Sequence, residues 1–157
     1  MTVKAQPDEY HTLTRYLRMR GAAGAIDFYK RVFGAEEMMR MPGPDGKSVM
    51  HAELKIGDSV LMLGEPMGGE ALGSSASSSG QLLYVQDVDR AFKKATDAGA
   101  SVKEPLQTMF YGDRMGVVTD PYGHEWMLAT HVEDVSDAEM KKRMAAQNEK
   151  MAASARA

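Results

Sequence analysis

The sequence predicts an α+β domain made of two copies of one βαβββ module, followed by a C-terminal helix. Three observations predict it. Two segments carry the 3.6-residue period of an amphipathic helix, and each is closed by a glycine. The pattern recurs at an offset of 65 residues, the distance between Gly34 and Gly99. After each helix, extended segments are joined through tight turns.

Taken in order, Tyr10 and His11 stand at the entry to a first strand around Leu17. The first helix runs from about Ala22 to Phe33, with Ala22, Ile26, Tyr29 and Phe33 on one side, and Gly34 suits a left-handed cap. Ser48 to Ile56 alternates, placing Met50, Ala52, Leu54 and Ile56 on one face and His51, Glu53 and Lys55 on the other. Gly57-Asp58 then turns the chain into Ser59–Gly64. The stretch from Glu65 to Gly80 is rich in glycine and serine and reads as a flexible linker. The second module opens near Gln81, and its helix spans about Val88 to Ala98 with Gly99 behind it. Arg114 to Thr119, the type I turn Asp120-Pro121-Tyr122-Gly123 and the strand His124–Thr130 complete it. A constant shift of 65 sets Leu17 on Leu82, Ile26 on Ala91 and Leu61-Met62-Leu63 on Trp126-Met127-Leu128. Ser136-Asp137-Ala138-Glu139 fits a capping box for a helix reaching about Ala152, whose Met140, Met144 and Met151 offer a docking face.

Composition narrows the function classes. The 157 residues, 43% of them hydrophobic, suffice for one core. A net charge of −3 without a Lys/Arg run gives no nucleic-acid footprint. No apolar stretch approaches the roughly 20 residues of a membrane-spanning helix. Residues 1–7 hold no hydrophobic signal region, so the cytoplasm is the expected location. With no cysteine, disulfide and thiolate chemistry are excluded. Fourteen methionines suggest an adaptable interior. No nucleophile elbow, phosphate loop, dinucleotide fingerprint or zinc-ligand spacing occurs.

Several blocks resemble a known family. Ala25-Ile26-Asp27-Phe28-Tyr29-Lys30-Arg31-Val32-Phe33-Gly34-Ala35-Glu36, Val85-Gln86-Asp87-Val88-Asp89 and Asp120-Pro121-Tyr122-Gly123-His124 are similar to the vicinal oxygen chelate (VOC) superfamily. This superfamily includes glyoxalase I, bleomycin- and fosfomycin-resistance proteins and extradiol dioxygenases. Met41-Pro42-Gly43-Pro44-Asp45-Gly46, His51-Ala52-Glu53, Phe110-Tyr111-Gly112-Asp113-Arg114 and residues 129–135 resemble its PhnB-like branch more closely. The likeness covers about residues 8–135, with modules at about 10–64 and 81–131, a linker at 65–80 and a tail at 136–157. It implies strands curled into a half-open sheet around a cavity, and a homodimer.

The resemblance also implies where a divalent ion would sit, with one ligand from the first and one from the last strand of each module. Those positions fall near Thr14 or Tyr16, on Met62, near Gln81 and on Met127. Of these only Gln81 keeps an accepted ligand type, since a thioether is a poor partner for Ni, Zn, Fe(II) or Mn. No metal ligand is therefore assigned and no cofactor is expected, with a relocated divalent site as the alternative. Met62 and Met127 would instead floor an apolar cavity.

Two clusters are candidates for function. His51 and Glu53 share a strand face and form an acid/base pair if desolvation raises the carboxyl towards neutrality. Tyr111, Asp113 and Arg114 combine an aromatic plane, an acceptor and a cation able to clamp an anion, or else brace their own turn. His11, His124 and His131 read as surface or turn histidines, and Trp126 as core. The sequence thus points to a small-molecule-binding protein of the resistance or sequestration type, with no nucleic-acid or membrane partner. The alternative is an isomerase, epimerase or lyase acting beside a carbonyl through Glu53 and His51.

Overall fold

A computed structural model of the chain describes residues 4–66 and 80–155. Most of the expected linker lies outside them. The element order is β1 (Arg15–Arg18), α1 (Ala22–Phe33), β2 (Glu36–Pro42), β3 (Val49–Ile56), β4 (Ser59–Gly64), β5 (Gln81–Tyr84), α2 (Val88–Asp97), β6 (Ser101–Thr108), β7 (Asp113–Thr119), β8 (Glu125–His131) and α3 (Asp137–Ser154). The βαβββ sequence occurs twice. The two sheets have the matching orders β1-β4-β3-β2 and β5-β8-β7-β6. In each, the first strand runs parallel to the last and the remaining pairs are antiparallel. The chain divides into two compact units, Met1–Ser78 with Asp120–His124, and Ser79–Thr119 with Glu125–Ala157.

In the first unit, α1 starts and stops at glycines in the left-handed region, Gly21 (φ 72°) and Gly34 (φ 68°), where a side chain would be strained. Its apolar stripe, Ala22, Ala25, Ile26, Phe28, Tyr29 and Val32, is buried. It meets the sheet face formed by Leu17, Ala52, Leu54, Leu61 and Leu63, all buried. Each fully buried Leu or Ile contributes about 1.5–3 kcal/mol. Beneath α1 the Tyr29 hydroxyl donates to Asp120 Oδ2 at 2.6 Å, and Asp120 Oδ1 accepts from the backbone N–H groups of Tyr122 and His124 at 2.9 Å each. The β7–β8 turn is thereby fixed from within. Strand β2 carries a bulge between Glu37 and Met39, leaving Met38 exposed on an edge.

In the second unit, Asp87 caps α2 by accepting from Arg90 N. Val88 and Ala95 are buried, as is Trp126, the core position expected of it. Gly116 lies under Phe92, where a Cβ would stand 2.6 Å from the ring. α3 begins with the expected cap, Ser136 Oγ accepting from Glu139 N. None of its residues is buried, and Met144 and Met151 are exposed. Polar contacts hold it instead, as Arg143 forks onto Glu133 at 2.9 and 2.7 Å and reaches Glu139 and Phe110 O.

Candidate functional site

A sheet presents one face to its helix and the other away from it. In the first unit the helix-free face is read from the strand register. One rung holds Tyr16, Met62, Glu53 and Met39 across β1, β4, β3 and β2. The neighbouring rung pairs His51 with Met41. Of the sequence-derived candidates, the structure therefore brings Tyr16, Met62, His51 and Glu53 together. It also adds Met39 and Met41, which alternation on β2 carries to the same side but the bulge hid.

Glu53 is the centre of this face. It is only 8% exposed, whereas Tyr16, Met39 and Met41 are 40–44% exposed around it. His51 Nε2 stands 3.0 Å from Glu53 Oε1, and the Tyr10 hydroxyl donates to Oε2 at 2.8 Å. The second ring nitrogen of His51 is 3.3 Å from the Tyr16 hydroxyl, and the two rings stack at 5.6 Å. One tautomer satisfies every group: Tyr16 O–H donates to Nδ1, and Nε2–H donates to the carboxylate. Desolvation by itself would raise the Glu53 carboxyl, as the sequence leads one to expect. The opposite holds: hydrogen bonds from His51 and then Tyr10 outweigh burial and hold it below the ordinary range. The Arg18 guanidinium lies 5.8 Å over the Tyr16 ring.

Thr14 takes a different place. Its hydroxyl donates to His11 O, and it lines a recess of about 350 Å³ between the N-terminal segment (His11, Leu13, Thr14) and Arg15, Tyr16, Ser59 and Val60. That volume is at the lower end for small-molecule pockets. Tyr16 borders both this recess and the Glu53 face.

In the second unit, Leu82, Met127 and Val117 form the matching rung of the helix-free face. Met62 and Met127 are 65 residues apart, but their first-strand partners Tyr16 and Leu82 are 66 apart. The constant shift thus fails by one residue between the first and last strands. In a strand that slip exchanges faces. Gln81 consequently pairs with Trp126 and turns away from Met127, its Nε2 donating to Glu125 O. Arg114 is likewise on the helix face, forked onto Asp89 at 2.8 and 2.6 Å rather than bracing Asp113. Tyr111 donates to Met115 Sδ at 2.8 Å.

Asp113 instead belongs to a cluster that the sequence did not reveal. It is buried, accepts from the Tyr84 hydroxyl at 2.8 Å, and lies 2.7 Å from His131 Nδ1. His131 Nε2 is 3.0 Å from Asp134. Its pKa is raised, first by Asp113 and then by Asp134. Single-strand periodicity could not show this, because Tyr84, Asp113 and His131 come from three strands.

The chain matches the Glyoxalase/Bleomycin resistance protein/Dioxygenase superfamily over residues 11–128, which spans both modules. It belongs to this superfamily. The uncharacterized protein Mb0911c of Mycobacterium bovis is 37% identical over 156 residues, covering 95% of this chain and 99% of the relative. Among solved structures, TioX from Micromonospora sp. ML1 is 27% identical with a TM-score of 0.58, covering 76% of this chain and 99% of its own. The PhnB protein from Bacillus cereus is 18% identical, with a TM-score of 0.65 over 76% of this chain and 99% of its own, and shares the fold.

The VOC superfamily's metal can be tested against the side chains at the expected positions. By register they are Tyr16 with Met62 and Leu82 with Met127, that is, a phenol, an alkyl group and two thioethers. This donor set does not fit a hard or borderline divalent ion. Among the described residues no group of three His, Asp or Glu side chains is gathered to hold one.

Proposed function

We propose that this VOC-superfamily protein binds a small molecule on the helix-free face of its first module, without the divalent ion customary in the superfamily. Glu53 is the polar anchor, and Tyr16, Met39, Met41 and Met62 supply the apolar contact surface. A nearly buried carboxylate amid half-exposed thioethers and a tyrosine ring carries this reading. Small-molecule sites commonly have that make-up, a broad apolar lining with a few placed polar groups. Methionines adapt to ligands of irregular shape. Assembly as a homodimer is part of the reading, and a monomer mass in light scattering at micromolar concentration would remove that part.

A second reading is acid/base catalysis beside a carbonyl. The connected path Tyr16–His51–Glu53 favours it, since a proton can pass along such a chain. It ranks second because the depressed Glu53 carboxyl is a weak base at neutral pH.

A thermal-shift screen of small molecules tests the first reading. A ligand at a hundred times its Kd stabilises by about 2.7 kcal/mol. Hits should lose that gain in Glu53→Gln and Tyr16→Ala but keep it in Asp113→Asn. Hits indifferent to the first two substitutions would place binding elsewhere. Stoichiometric Ni, Zn, Fe or Mn in protein purified without chelator would overturn the metal-free assignment.

A further inference from the structure

The Tyr10 hydroxyl occupies one oxygen of the Glu53 carboxylate. The segment from residue 4 to residue 14 forms neither helix nor strand. Its own hydrogen bonds are local: Gln6 Nε2 to Tyr10 O, Tyr10 N to Pro7 O, Thr12 to Gln6 and Thr14 to His11 O. Against these, the Tyr10 hydroxyl reaches 43 positions along the chain to Glu53 Oε2. An exposed, irregular segment thus places one neutral donor on the carboxylate at the centre of the candidate site.

We infer that this phenol is an exchangeable occupant, and that the site takes an aromatic or alkyl amine whose ammonium group replaces Tyr10 on Glu53. The inference rests on the binding reading above and adds the ligand's class and what it displaces. Three features support it. The phenol and an ammonium can both make a charge-assisted hydrogen bond to the carboxylate, but only the ammonium adds the Coulombic attraction of an opposite charge, which lets it displace Tyr10. The Tyr16 ring stands in the same rung as Glu53 and offers an aromatic face of the kind that attracts cations, while the Arg18 guanidinium 5.8 Å over it works against a second one. Met39, Met41 and Met62 share the Glu53 side of the sheet and give an aromatic or alkyl body somewhere dry to lie. Other charges on this face are Arg18 and Lys55, two residues removed from Tyr16 and Glu53 along their strands, and Glu36, paired with Lys55 across β2 and β3. They do not contribute a hydrogen bond to the carboxylate comparable with those of His51 and Tyr10. The recess beside Tyr16, bounded by the same N-terminal segment, gives the ligand room to extend.

Three probes of one shape test this: 1-naphthylmethylammonium, 1-naphthylmethanol and 1-naphthoate, titrated by calorimetry into the full chain at neutral pH. The ammonium should bind about tenfold more tightly than the alcohol, with the carboxylate weakest. Tyr10→Phe removes the competing donor and should tighten the ammonium by about tenfold while leaving the alcohol within about twofold. Glu53→Gln should abolish the preference. Unmutated protein provides a control without substitution, since ammonium affinity should fall as acid protonates Glu53. Equal binding of ammonium and alcohol, or no gain in Tyr10→Phe, would sink the amine inference and leave the binding reading intact. Absence of binding by all three probes at millimolar concentration would overturn both.

Discussion

The buried contact between Tyr29 and Asp120 gives the clearest stability prediction. Tyr29 is fully buried and Asp120 is 4% exposed. Tyr29→Phe removes one hydroxyl at constant ring volume, so no cavity forms, and the cost is that of the 2.6 Å bond to a carboxylate. Hydrogen bonds to charged groups contribute about 1.5–3 kcal/mol, which sets the loss at about 2 kcal/mol. For a chain of this size each kcal/mol lowers Tm by about 2–4 °C, hence a fall of about 4–8 °C. Asp120→Ala should cost more, about 4 kcal/mol, because the backbone donors of Tyr122 and His124 also lose their acceptor. The double variant should then show a coupling of about 1.5–2 kcal/mol in urea unfolding. A Tyr29→Phe protein melting within 1 °C of the parent (an approximate threshold set by the same scaling), or additive losses in the cycle, would refute the claim that this bond fixes the turn.

Three further outcomes follow. Gly112 has φ +99° and a Cβ there would collide with Glu133 O, so Gly112→Ala should cost about 3 kcal/mol or more in urea unfolding. His131 has a raised pKa, so its stabilising contribution is complete below its unfolded value near 6.5 and is lost as pH rises through the folded value. The difference in urea midpoint between parent and His131→Gln should therefore be largest at pH 6 and shrink through mildly alkaline pH. Arg143→Ala should speed amide exchange across α3 while moving Tm by only a degree or two, because no residue of that helix is buried and its ties are surface ion pairs.

Much of the fold was legible because its signals are local. Gly34 ends α1 at φ 68°, the left-handed cap read from its position after the apolar stripe. Ser136 caps α3 as its spacing to Glu139 required. The alternation in β3 correctly separated Ala52 and Leu54 from His51 and Glu53. What failed depended on register between strands. A one-residue difference between the β1/β5 and β4/β8 offsets sent Gln81 to the helix face, and no single-strand pattern encodes that slip. Arg114 is next to Asp113 in sequence, yet adjacent residues on a strand point to opposite faces, so it meets Asp89 instead. The sign of the Glu53 shift follows first from the hydrogen bond of its strand neighbour His51, and then from the Tyr10 hydroxyl, whose part needed three dimensions because it comes from 43 residues away.

Methionine-methyl NMR offers the most direct test of binding at the first module. With the fourteen methionines labelled at the methyl carbon and Met39, Met41, Met62 and Met127 assigned by substitution, a ligand from the screen is titrated into the full chain. Met39, Met41 and Met62 should shift together along one saturating curve, and Glu53→Gln should abolish the response. Shifts confined to Met127, or an undiminished response in Glu53→Gln, would exclude binding on the first module's helix-free face.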